Sequence, residues 1–121
     1  MNTTRLDSAL FWSILDDLAA ASEIVVDRPQ GSVHPRQPDM IYPLDYGYLA
    51  GTTAGDGDGI DVWLGSLPEQ SVTGIACTAD AHKRDAEIKL LLGCTAAEMA
   101  AVGRFLNSHG LGCTVFSRPA R

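Results

Sequence analysis

Tyr42-Pro43-Leu44-Asp45-Tyr46-Gly47-Tyr48, followed closely by Asp56-Gly57-Asp58-Gly59-Ile60-Asp61, carries the information that decides this sequence. In the second stretch, carboxylates spaced two and three apart alternate with glycines that let the backbone turn tightly. Like charges brought together repel, so such a loop is costly unless a cation sits among them. Hard divalent ions prefer oxygen ligands, and Mg2+ keeps waters that can become nucleophiles. The same residues also make an ordinary solvated turn, because Asp and Gly dominate turns. A calcium helix-loop-helix is excluded: the ligand series stops at Asp61, with no Glu at the twelfth loop position. In the first stretch, Tyr42 and Tyr46 share a face if the segment is extended. Their hydroxyls then serve phosphate or a metal-bound water, or the rings simply pack in a β-rich core.

Outward from this centre, residues 4–22 read as a helix, with Leu6, Leu10, Ile14 and Leu18 as its buried stripe and Phe11 and Leu15 widening it. Thr4 and Asp7 resemble a capping box, and Trp12 is placed at the stripe's edge. A β-branched run at 23–27 predicts a buried strand, and residues 29–43, with four prolines, predict an irregular segment. Residues 41–49 read as extended. Further strands are expected at 60–64, 72–78 and 86–92. The Thr95-to-Glu98 capping box opens a helix to about 108 that stops at Gly110, and a final strand covers 113–117. This order predicts one compact α+β domain: a small antiparallel sheet or barrel flanked by two helices.

At 121 residues the chain suits one domain that can bury a core without staples. The net charge of -6 disfavours nucleic acid as a partner. No apolar run spans a membrane and no secretory leader is visible, so cytoplasm is the expected compartment. Cys77, Cys94 and Cys113 are odd in number and far apart, and read as reduced, buried residues.

Taken together, the motifs resemble the family I soluble inorganic pyrophosphatases. Asp56, Asp58 and Asp61 match that family's acidic loop, and Tyr42, Pro43, Tyr46 and Gly47 match its Tyr-Pro-x-x-Tyr-Gly segment. Asp80 and Asp85 match a second metal-binding pair five residues apart. The resemblance covers roughly residues 23–108. It implies a small closed, OB-like β-barrel flanked by two helices, a homo-hexamer, and Mg2+ (or Mn2+) held by Asp56, Asp58, Asp61, Asp80 and Asp85. It further implies Asp58 as proton acceptor, Tyr46 orienting the nucleophile and Tyr42 supporting phosphate. The activity implied is hydrolysis of pyrophosphate to two phosphates.

The departures lie in the cationic half of the site. The family's Lys-, Glu- and Arg-bearing hairpin is shortened here to residues 29–41, where only Arg28, His34 and Arg36 are at hand. Its Lys after the last metal aspartate is Glu87, with Lys89 the nearest lysine on that strand face. Its late Tyr-Lys pair is replaced at about His109-Gly110. Lys83, Arg84 and Lys89 are therefore the first candidates to grip phosphate, with His34, Arg36 and Arg28 next. The alternatives are a hydrolase of an organic diphosphate or phosphate ester, and a non-catalytic binding module on the same fold.

Overall fold

The computed structural model describes residues 8–120. The chain runs α1 (Ala9–Ala21), β1 (Ile24–Arg28), β2 (Val33–His34), β3 (Gln37–Ile41), β4 (Asp45–Leu49), β5 (Ile60–Leu64), β6 (Val72–Asp80), β7 (Asp85–Leu92), α2 (Ala96–Ser108) and β8 (Gly112–Ser117). Six strands form one sheet in the order β1-β4-β5-β7-β6-β8, and β2 pairs with β3. Every pairing in the large sheet is antiparallel except β5 with β7.

Alternation along the strands sends neighbouring residues to opposite faces. Trp63 and Leu91 pack under Met99, Val102, Phe105 and Leu106 of α2. Their neighbours Val62, Leu90 and Leu92 pack on the other face with Trp12 and Ala19 of α1. The α+β class and the two flanking helices are as expected. The closed barrel is not seen: among the described residues β1 and β8 each have a single strand partner, and they are not paired with each other. Closure needs those rims to meet. Here the apolar residues form two clusters, one with residues of α2 and one with residues of α1.

The first helix differs in its buried side. Its start at 4, with Leu6 and the Thr4–Asp7 cap, lies outside the described residues. Leu10, Phe11 and Ile14 are exposed, whereas Trp12 and Ala19 are buried and Leu15 and Leu18 half-buried. Asp16 fixes this rotation by accepting from the Val72 backbone N–H at 3.0 Å and from the Arg118 guanidinium at 2.8 Å. That guanidinium also lies 5.7 Å from the Trp12 ring centroid.

The proline-rich interval is ordered as a hairpin where an irregular segment was expected. Its prolines fit because Pro35 sits in the β2–β3 turn, and Pro38 is on a strand of a two-stranded ribbon whose outer edge needs no N–H. The cysteines are free, but only Cys94 is fully buried. Burial, with Glu98 nearby, pushes its thiol up to about 12.

The second helix begins as the sequence predicts. Glu98 N–H donates to Thr95 Oγ1 at 3.1 Å, and Thr95 N–H to Glu98 Oε1 at 2.9 Å. The same oxygen accepts from Ser66 N–H at 3.1 Å, tying the helix to the end of β5. Gly110, at φ 87°, ends the helix in a Schellman motif, with Leu111 N–H on the Leu106 carbonyl. The backbone N–H of Thr95, then that of Ser66, holds the Glu98 carboxyl below the usual glutamate range. Its contribution is therefore present above about pH 4.3 and lost as pH falls through the lowered folded value. Glu98→Ala is expected to cost about 1 kcal/mol at neutral pH, and less in acid, by urea denaturation.

Candidate functional site

The period-two rule places a set of polar side chains on the face that α2 covers. On β7, Asp85, Glu87, Lys89 and Leu91 share it, and on β5 Asp61 and Trp63 do. Tyr46 lies directly across from Trp63. Ala76, Thr78 and Asp80 of β6 complete the row, with Asp80 opposite Asp85. Toward α2 this face is apolar and aromatic, and toward the β6–β7 turn it becomes charged. The two regimes meet at a cleft of about 150 Å³, bordered by Tyr42, Trp63 and Phe105 on one side and by Asp80, Asp85, Glu87 and Lys83 on the other.

Lys89 is the centre of the charged part. It is only 5% exposed. Its ammonium donates to Glu87 Oε1 at 2.6 Å, Asp61 Oδ2 at 2.8 Å and the Tyr46 hydroxyl at 3.0 Å. An ammonium has three protons, and these three acceptors account for all of them. Burial pulls the Lys89 pKa down, but the Tyr46 oxygen, Asp61 and Glu87 outweigh it and hold it above the ordinary lysine value. The Tyr46 hydroxyl is likewise held above its ordinary value, chiefly by burial; Lys89 opposes the rise and Asp61 adds to it. At neutral pH the pair is a charged ammonium beside a neutral phenol.

The residues singled out in the sequence divide into two groups. Tyr42, Tyr46, Asp80, Asp85, Lys83 and Lys89 border one cleft, and Asp61 joins it through Lys89. Tyr42 is buried, with its ring 5.0 Å from Phe105 and 6.0 Å from Trp63. Asp80 also closes the β6–β7 turn, accepting from His82 N–H and Lys83 N–H.

The others do not border the cleft. Asp56 and Asp58 are exposed, and Asp56 Oδ1 accepts from Asp58 N–H at 3.0 Å within the loop's own turn. Arg84 is exposed in the β6–β7 turn, in the left-handed region at φ 59°. His34 and Arg36 belong to the β2–β3 hairpin, where His34 Nδ1 accepts from Arg36 N–H. Arg28 pairs with Tyr46 along the backbone at the end of β1.

The five aspartates are thus not brought together: Asp56 accepts within its own loop, Asp58 is exposed beside it, Asp61 is paired with Lys89, and Asp80 and Asp85 border the cleft. Among the described residues no three His, Cys, Asp or Glu side chains are grouped to hold a metal. Of the five aspartates, Asp80 and Asp85 alone stand opposite each other on paired strands. Glu87 was missed as a site residue, although its spacing two before Lys89 put both on one strand face. Trp63 and Phe105, as cleft walls, carried no sequence signal beyond hydrophobicity.

The fold that bears this cleft is pyrophosphatase-like. It is similar to an inorganic pyrophosphatase from Coxiella burnetii, with a TM-score of 0.54 over 78% of this chain and 82% of that chain, at 16% identity. An inorganic phosphatase from Anaplasma phagocytophilum aligns over 78% and 81% of the two chains at 18% identity, with a TM-score of 0.47. No family model matches the sequence, and no curated protein does. At these identities the likeness is one of fold. Among the described residues no helix is long and apolar enough to cross a membrane.

Proposed function

We propose that this chain uses a pyrophosphatase-like fold as a small-ligand binding module and not for magnesium-dependent hydrolysis of pyrophosphate. The observation that carries the reading is the placement of the acidic loop: Asp56 and Asp58 are exposed away from the cleft and Asp61 is held by Lys89, which leaves Asp80 and Asp85 of the five aspartates bordering it. The cleft is small and mixed in character. Its apolar side is the edge of the packed core around Tyr42, Trp63 and Phe105, and Asp80, Asp85 and Glu87 offer acceptors to donor or cationic groups. Four carboxylates around two lysines leave the surroundings net negative, which disfavours a free phosphate dianion.

The hydrolase reading, on pyrophosphate or on an organic diphosphate or phosphate ester, is favoured by the shared fold and by Asp80, Asp85, Tyr42 and Tyr46 bordering one cleft. Phosphate release from pyrophosphate, with Mg2+, Mn2+ or EDTA present, separates the two. The expected result is release at the uncatalysed background in every case, unchanged in Asp58→Asn. Metal-dependent turnover that Asp58→Asn or Asp61→Asn abolishes would establish the hydrolase and remove the binding reading. Calorimetry against a panel of small organic amines and phosphorylated compounds then reads ligand class, with amines expected to bind and free phosphates not.

A further inference from the structure

The cleft carries two kinds of polar group that the protein leaves unused. At its half-buried mouth, Asp80 stands opposite Asp85, and one row further in Thr78 stands opposite Glu87. Asp80 serves the turn and Glu87 serves Lys89 through one oxygen each, so both keep an oxygen for a ligand. Deeper in, the lining is buried but not wholly apolar. Thr78 and Tyr42 are each 6% exposed and Trp63 is 1% exposed. Among the described residues the hydroxyls of Thr78 and Tyr42 make no hydrogen bond. The indole N–H of Trp63, whose ring lies 6.0 Å from that of Tyr42, has no acceptor either. Buried polar groups are nearly always paired, so three unpaired donors bordering one cleft call for an oxygen from outside the protein. Lys89 cannot answer them, because it is itself a donor with its protons committed.

We propose that the cleft takes a small organic monocation carrying a neutral oxygen acceptor a few bonds from its charge, the short amino alcohols being the simplest members of the class. The inference rests on the binding-module reading and narrows its ligand from amines in general. The charged end meets Asp80, Asp85 and Glu87, and the oxygen accepts from Thr78 or Tyr42. These carboxylates, with Asp61, outnumber Lys83 and Lys89, so a cation is favoured and a carboxylate at the ligand's far end is repelled. A second ammonium at that end would face donors and the charge of Lys89. Thr78 and Asp80 are two residues apart on one strand face, about 7 Å, which a three-carbon chain with a hydrogen bond at each end spans. The volume of about 150 Å³ suits a body no larger than a benzene ring.

The test titrates the full chain with 3-amino-1-propanol, n-butylamine and 1,3-propanediol, which are matched in size. Binding is followed by NMR at the backbone amides of Thr78, Asp80, Asp85 and Glu87. The amino alcohol is expected to bind about fivefold more tightly than butylamine, the worth of one neutral hydrogen bond, and the diol not at all. Thr78→Val and Tyr42→Phe together are expected to erase that preference and leave butylamine affinity unchanged, whereas Asp85→Asn weakens both amines. If the double variant does not fold, the wild-type comparison decides. Equal affinity for the two amines, or a preference that survives loss of both hydroxyls, overturns the inference while the binding module stands. Failure of every amine to bind removes the binding module and the inference with it.

Discussion

Lys89→Met in metal-free buffer is expected to lower folding stability by about 3 kcal/mol, the low end for breaking a buried ion pair. The substitution keeps the volume and removes the charge, so the loss comes from Asp61 and Glu87 facing each other without a counter-ion. Their partial exposure is the reason for choosing the low end. In thermal denaturation the drop corresponds to roughly 10 °C for a domain of this size. The triple variant Asp61→Asn, Glu87→Gln, Lys89→Met should recover most of it, because neutral groups leave no uncompensated charge. A full loss retained in the triple variant would mean that the lysine matters for packing and not for charge.

A pH dependence accompanies this. Lys89 and Tyr46 both hold their protons more tightly in the folded chain than in the unfolded one. Their contribution is complete below the unfolded values, about 10, and falls as pH rises from there toward the folded values. Wild-type stability should decline from about pH 10, and Lys89→Met should decline less steeply.

Gly47→Ala is the second substitution with a large expected effect. Gly47 stands opposite Val26 where β4 pairs with β1. A methyl group there would overlap the Val25 carbonyl oxygen and come within 2.8 Å of its carbon and 2.9 Å of Val26 Cα. These are backbone atoms of a neighbouring strand, so no rotamer change relieves the clash. The strands must part, at a cost of about 3 kcal/mol or more. Hydrogen exchange at Val25, Val26 and Tyr48 would report the separation, and unaltered protection there would refute it. Gly31→Ala is the comparison: nothing lies within 4 Å of an added methyl, and its φ of +83° leaves only the backbone strain. The glycine of the Tyr-Pro-x-x-Tyr-Gly segment is thus explained by strand contact alone.

Local pattern carried the sequence reading as far as local pattern can. The β5 span of 60–64 and the Thr95 capping box follow from alternation and from a four-residue motif, and both stand as read. The α1 stripe failed because spacing alone cannot choose between faces when apolar residues sit on more than one. Trp12, Asp16 and Arg118 make that choice through contacts with the end of the chain. Barrel closure failed for a related reason: it is a question of whether β1 meets β8, and nothing in either segment specifies its outer neighbour.

At the cleft, the shared face of Glu87 and Lys89 was legible from their spacing. What that spacing could not show is the parallel register of β5 with β7, Val62 opposite Leu90, which sets Asp61 beside Lys89. Asp61, read as a metal ligand, is paired in the structure with a lysine 28 positions downstream.

The unjoined rims of the sheet bear on how the chain behaves at high concentration. β1 ends in Asp27 and Arg28, whose charges discourage another strand from zipping alongside. β8 reads Gly-Cys-Thr-Val-Phe-Ser, has no charge, and exposes Phe116. Its brevity and the Arg118 that follows are the restraints on that side, which makes the late strand the weak point for colloidal self-association.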